Sequence, residues 1–293
     1  MAGGAREIKR RIRSVSNIGK VTRAMEAVSA SKMRRAQDAT LRSRAYAQMA
    51  AQVMSHLRAQ PGGAGTGHPL LRPDVDGQPG VLLITPDRGL TGGLVVTLIR
   101  FAVRSAEAEL GKDIKWIALG RKGRDFLARA RRDLIAGFAP LPDNPRPIDI
   151  TAAARLAIDG FLGPELSSVH LVFADYVSAT KQKPTFVQLL PIVLPDDVEP
   201  MKAEFDFEPS PEAVLDEILP RLVELRIYQA LLEAQASEHS ARMVAMRNAT
   251  DAAKELVSSL TLEYNKARQS GITAEILDIA GGAEALRRSM KDA

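Results

Sequence analysis

The chain has 293 residues, 45% of them apolar and only 4% aromatic, a composition that suits long helices better than broad sheets. It contains no cysteine, which excludes disulfides, thiolate metal sites and cysteine nucleophiles together. The net charge of +5 is unevenly placed: residues 1–58 hold 13 Lys or Arg against 3 Asp or Glu, a balance of +10, and the remainder holds 27 against 32, a balance of −5.

The first residues carry arginines but no apolar secretory core, so they read as mature sequence of a cytosolic, bacterial protein. A helix is expected from about Arg6 to Leu57. Its apolar stripe runs through Ile8, Ile12, Val15, Ile18, Val21, Met25 and Val28, then Leu41, Ala45, Met49, Val53 and Leu57, at steps of three and four. A helix this long is marginal in isolation, so its stripe should be buried against another element. Residues 60–80 are dense in glycine and proline and are expected to form an irregular linker.

Val81 to Thr85 has strand character and is followed by the turn Pro-Asp-Arg-Gly-Leu-Thr-Gly-Gly at 86–93 and a helix to about Glu109. Strands are expected at Ile114–Leu119, Leu134–Phe138, Val169–Ala174 and Phe186–Leu194, with helices over Lys122–Arg131 and from Thr151 to Gly163. Strands alternating with helices indicate a small α/β domain with a largely parallel sheet over 81–200.

From Pro209 the chain returns to helix, with Ser210 as N-cap and Pro211 at the first helical position. Pro220 should kink or restart it, and Gly281-Gly282 should weaken its end. Between them His239, Met243, Met246, Thr250, Ala253, Val257, Leu260, Tyr264, Ala267 and Gly271 alternate at steps of four and three. A mean step of 3.5 keeps one stripe toward a partner helix, as a left-handed coiled coil requires. No proline or glycine interrupts residues 221–270, a span that could extend roughly 75 Å at the helical rise. The obvious partner is the first helix, antiparallel. No run approaches the roughly 18 apolar residues of a membrane span.

The turn at 86–93 stands where a phosphate-binding loop would, yet its glycines do not match the dinucleotide or nucleotide fingerprints. The plainer reading is a tight turn in which Asp87 and Arg88 pair locally or face a partner. The four histidines, His56, His68, His170 and His239, lack ligand spacing, so neither metal nor other cofactor is expected. The basic runs at 9–11 and 32–35 imply an acidic partner: a protein loop, a nucleic acid or an anionic lipid. With only Tyr46 available for base stacking in this segment, an acidic protein is preferred and nucleic acid is not expected. No nucleophile–base pair or carboxylate dyad is apparent, and no enzyme active site is expected.

Several segments resemble one family from end to end. Ile-Lys-Arg-Arg-Ile-Arg-Ser-Val at 8–15, Thr-Arg-Ala-Met at 22–25, Ser-Lys-Met-Arg-Arg-Ala-Gln at 31–37, Asp-Arg-Gly-Leu-Thr-Gly-Gly-Leu at 87–94 and Gln-Leu-Leu-Pro at 188–191 are similar to the gamma subunit of F-type ATP synthases. More specific still are the 16 residues at 236–251, Tyr-Asn-Lys-Ala-Arg-Gln at 264–269 and Ile-Thr-Ala-Glu-Ile-Leu-Asp-Ile-Ala-Gly-Gly-Ala at 272–283.

The resemblance implies an antiparallel coiled coil of the helices 1–58 and 209–293, with 59–80 as linker and a Rossmann-like α/β foot domain at 81–200. It implies a non-catalytic rotor, one copy per complex, on the cytoplasmic face of the bacterial plasma membrane. The partners would be the alpha and beta subunits, the epsilon subunit and the c-subunit ring. It places Lys20, Arg23, Met25, Lys32 and Arg242 near an acidic loop of the catalytic subunits, with Arg34 and Arg35 also in the partner interface. Arg268, Gln269, Thr273 and Glu275 would make polar contacts inside the ring, and Ile276, Leu277, Ile279 and Leu286 would sit in an apolar bearing. Thr91 and Gly271 stand where many members carry cysteine and alanine, and the inserted cysteine pair of chloroplast-type members is lacking.

Overall fold

The computed structural model describes residues 2–59, 67–72, 76–193 and 210–290. It divides into two compact units, one of Met1–Val28 with Ala245–Ala293, the other of Ser29–Val244. Two helices contribute to both: α1 (Ala2–Ala59) and α5 (Pro211–Ser289).

The larger unit contains a five-stranded sheet in the order β3-β2-β1-β4-β5, built from β1 (Gln78–Ile84), β2 (Lys115–Leu119), β3 (Asp133–Phe138), β4 (Leu166–Ser178) and β5 (Lys181–Leu190). The first four strands run parallel and β5 closes one edge antiparallel to β4. Val81, Leu82, Leu83 and Ile84 are all buried, because β1 is central and covered on both faces, where a strand reads as a continuous apolar run. On one face Val81, Leu83 and Trp116 pack with Leu98, Ala102 and Ala106 of α2 (Leu94–Leu110) and Leu127 of α3 (Arg121–Arg129).

On the other face Leu82, Ile84 and Leu119 pack with Ala154 and Phe161 of α4 (Thr151–Leu162) and with Leu219, Val223, Ile227 and Leu231 of α5. The long C-terminal helix is therefore part of the sheet's own core. This explains why Pro220 neither ends nor restarts it. Proline removes one amide bond, but Leu219, Leu222 and Val223 around it are buried, and tertiary packing outweighs the lost bond. Gly281 and Gly282 likewise lie within α5.

The expected linker is less irregular than its composition suggests. Residues 60–66 and 73–75 lie outside the described residues, whereas Pro69–Leu71 forms a short 3-10 turn capped by the His68 ring, which accepts the Leu70 amide at 3.1 Å. Leu70 is buried in the sheet's core. Ser210 caps α5 as expected, accepting the Ala213 amide at 3.3 Å.

The smaller unit is an antiparallel pair of helical segments. On α5 the seam follows the expected order: Thr250 and Ala253 are buried, and Val257, Leu260, Tyr264, Ala267 and Gly271 half-buried. On α1 it does not. Ile18, Val21 and Val28 are 54%, 57% and 55% exposed, and the inward positions are Ile8, Ile12, Val15, Gly19, Thr22 and Met25. Hydrophobicity alone selected the wrong stripe past Val15. Small residues win there because they let two backbones approach, which bulky side chains prevent.

Candidate functional site

The turn after β1 leaves the sheet between β2 and β4, where the strand order reverses. This is the crevice in which open α/β sheets take ligands. Here the crevice is furnished from within. The Asp87 carboxylate accepts the amides of Arg121 at 2.7 Å and Leu141 at 2.6 Å. The Pro86 carbonyl accepts the Lys122 amide at 3.1 Å, and the Thr85 hydroxyl accepts the Gly123 amide at 2.8 Å. The first amides of α3 are thus engaged by the turn itself. Gly120 allows the approach: its φ is +103°, and a Cβ there would collide with the Thr85 carbonyl. Both Asp87 oxygens serve backbone amides, so of the two sequence readings the local pairing with Arg88 does not hold.

α5 walls what remains of the crevice, a cavity of about 380 Å³ bordered by Leu231, Ala234, Gln235, Glu238 and His239. A row of side chains on this helix donates to backbone carbonyls of the same unit. Tyr228 reaches Pro145 at 3.1 Å, Gln229 reaches Ser43 at 3.2 Å, Gln235 reaches Pro142 at 2.8 Å and Ser240 reaches Ala179 at 2.6 Å. Arg242 gives Nε and Nη2 to the Gly89 carbonyl at 3.4 and 3.3 Å.

The charges here are compensated. Arg242 pairs with Glu238 at 2.6 Å, both nearly buried, and Lys32 pairs with Asp143 at 2.7 Å. Burial pushes the Glu238 carboxyl up, with Arg242 pulling against it. Burial, aided by Arg242 and Lys32, depresses His239 to about 4, so its ring is neutral near pH 7. Arg242 Nη1 lies 3.3 Å from His239 Nδ1; a guanidinium only donates, so Nδ1 accepts and the proton resides on Nε2. A neutral histidine beside a satisfied ion pair is a structural arrangement.

The candidate residues fall into three groups. Lys20 and Arg23 are exposed on the smaller unit, with Met25 half-buried beside them. Lys20 and Arg23 flank a groove of about 210 Å³ with Lys254. In the larger unit Arg34 and Arg35 are exposed, Lys32 is tied to Asp143, and Arg242 is buried in the network above. Arg268, Gln269, Thr273, Glu275, Ile276, Leu277 and Ile279 are all exposed on α5, as is Leu286. The grip of Tyr228, Gln235 and Ser240 on loop carbonyls carried no sequence signal, since single polar residues on a long helix usually face water.

Among the described residues no cluster of metal-ligating side chains is present, and no helix is long and apolar enough to cross a membrane. Residues 4–286 match the family model described as ATP synthase. The chain is 48% identical to the ATP synthase gamma chain of Herpetosiphon aurantiacus, over 97% of this chain and 99% of that one. The chain belongs to the ATP synthase gamma chain family. A second relative, the gamma chain of Roseiflexus sp. strain RS-1, is 49% identical over 96% of this chain and 98% of its own length. The fold is similar to a chain in the rotor of the Euglena gracilis mitochondrial ATP synthase, with a TM-score of 0.62 at 17% identity, covering 93% of this chain and all of that one.

Proposed function

We propose that this gamma chain is the central-stalk rotor of a bacterial F-type ATP synthase and has no catalytic site of its own. It transmits torque between the membrane c ring and the alpha/beta hexamer, one copy per complex, with the epsilon subunit at its foot on the cytoplasmic face. The paired helices of 1–58 and 209–293 serve as the shaft, 59–80 as connection and the sheet of 81–200 as the foot. Proton flow turns the c ring, the shaft turns with it, and its asymmetry drives each beta subunit through different nucleotide affinities.

One observation carries this reading. From Glu275 to Glu284 every side chain of α5 is exposed, including Ile276 at 60%, Leu277 at 65% and Ile279 at 73%. A helix end with apolar side chains on several faces needs a surrounding partner to cover it. Ile276, Leu277, Ile279 and Leu286 then form the bearing, and Arg268, Gln269, Thr273 and Glu275 the polar contacts below it. Lys20, Arg23, Met25, Lys32, Arg34 and Arg35 face the acidic loop of the catalytic subunits. Arg242 is buried and holds the Gly89 carbonyl, so it acts at that loop only indirectly. Exposed charges act over a distance and bind no single orientation tightly, which suits a surface that must pass successive subunits.

The test is reconstitution with alpha and beta subunits. A stoichiometric hexamer-plus-one assembly with ATPase activity is expected, and the isolated chain should hydrolyse nothing. Neutralising Lys20, Arg23 and Lys32 together should leave ATP turnover while lowering proton pumping per ATP. Failure to assemble would overturn the rotor reading.

A further inference from the structure

Within the smaller unit one point of the seam is polar. Thr22 and Thr250, 8% and 5% exposed, join their hydroxyls at 2.7 Å across the helix pair. Thr250 Oγ1 also lies 2.8 Å from the Met246 carbonyl, and Thr22 Oγ1 lies 3.1 Å from the Gly19 carbonyl. Each hydroxyl has one proton. One hydroxyl donates to its own helix carbonyl and accepts the proton of the other across the pair, so both hydroxyls are satisfied. One turn away a Cβ on Gly19 would sit 3.3 Å from the Ala253 Cβ, so the two helices touch there through their smallest residues. On the other side Arg247 pairs with Glu26 at 2.9 Å.

We propose that Thr22 and Thr250, with Gly19 against Ala253, fix the axial register of the two helices and so the phase in which the shaft presents its contacts. The rest of the seam discriminates poorly between registers. It is a run of medium-sized apolar side chains repeating every heptad, and a slip of one heptad still matches apolar to apolar. At the polar point the slip is not silent. Moving α5 one heptad either way sets Met246 or Leu260 opposite Gly19 in place of Ala253, so the helices must part locally to admit the longer side chain. It also separates the two hydroxyls, each falling back on its own helix carbonyl. A single polar contact in an apolar seam is the established physical means of choosing one register. These are positioning residues, and the inference rests on the rotor reading only for its functional consequence.

Register can be read on the full chain alone, which has no cysteine to interfere with labelling. Spin labels at Ser14→Cys and Ser258→Cys, both exposed positions, should give one distance in the parent chain. Thr22→Val with Thr250→Val should add a second, longer distance, because a slip of one heptad moves the two level labels about 10 Å apart along the axis. Thr22→Ser with Thr250→Ser, which keeps both hydroxyls, should restore the single distance. Because valine fills the same space, the melting temperature of the double valine variant should not fall, separating register from stability. In the assembled complex the valine pair should lower protons pumped per ATP and the serine pair should not. A single unshifted distance in the double valine variant overturns the proposal. A normal register shift in a chain that never assembles overturns the rotor reading instead.

Discussion

The Asp87 carboxylate holds the Arg121 amide at 2.7 Å, capping the start of α3 from the turn that follows β1. Its second oxygen holds the Leu141 amide, so one side chain joins the turns that follow β1, β2 and β3. Removing it should loosen all three. Asp87→Ala is expected to cost about 2 kcal/mol, the scale of hydrogen bonds to a charged acceptor, read from the urea midpoint. Asp87→Asn, with one acceptor oxygen left, should lose less. Unchanged stability in the alanine variant would contradict this role.

Arg242 is the cation of a nearly buried pair, and its loss leaves Glu238 without a counter-charge in a place where burial already raises its pKa. Arg242→Ala should destabilise the chain by about 3 kcal/mol. Adding Glu238→Gln should recover much of that, because the stranded charge is gone. The four proteins of this cycle, compared by denaturant unfolding, yield the coupling directly. Additive losses would mean that the pair is not coupled.

His239 sets a pH dependence whose sign follows from its folded pKa of about 4 against 6.5 in the unfolded chain. Between those values the unfolded chain binds the extra proton, so stability rises with pH and is lost as pH falls. The groups that face it are Arg242, Lys32 and Asp143. From pH 6.5 to pH 4 the parent chain should lose roughly 3 kcal/mol relative to His239→Asn. A gap between the two proteins that stays constant over this range would refute the assignment.

The bare end of α5 separates folding from assembly. Aspartate at Ile276, Leu277 and Ile279 changes only exposed positions and should shift stability by no more than about 0.5 kcal/mol. The same triple variant should fail to co-purify with alpha and beta subunits. Retained assembly would mean that these side chains are not the covered surface.

Periodicity carried much of this fold. The α5 heptads from Thr250 to Gly271 face inward in the order their spacing requires, and all five strands appear at or beside their expected positions. Both signals are local, since 3.5 and 2.0 residues per repeat are properties of the backbone and need no knowledge of a partner. The motifs at 236–251 and 272–283 likewise identified the family without coordinates.

What only the tertiary structure decided depends on how near two backbones come. On α1 the apolar count favoured Ile18, Val21 and Val28, but close approach selects Gly19, Thr22 and Ser29. Pro220 read as a break until α5 proved to cover a face of the sheet, where burial outweighs one missing amide bond. Asp87 read as pairing with Arg88 or facing a partner until two amides from distant turns converged on it. A one-dimensional pattern encodes which residues avoid water, while packing distance and long-range hydrogen bonds emerge only once segments far apart in the chain share the same space.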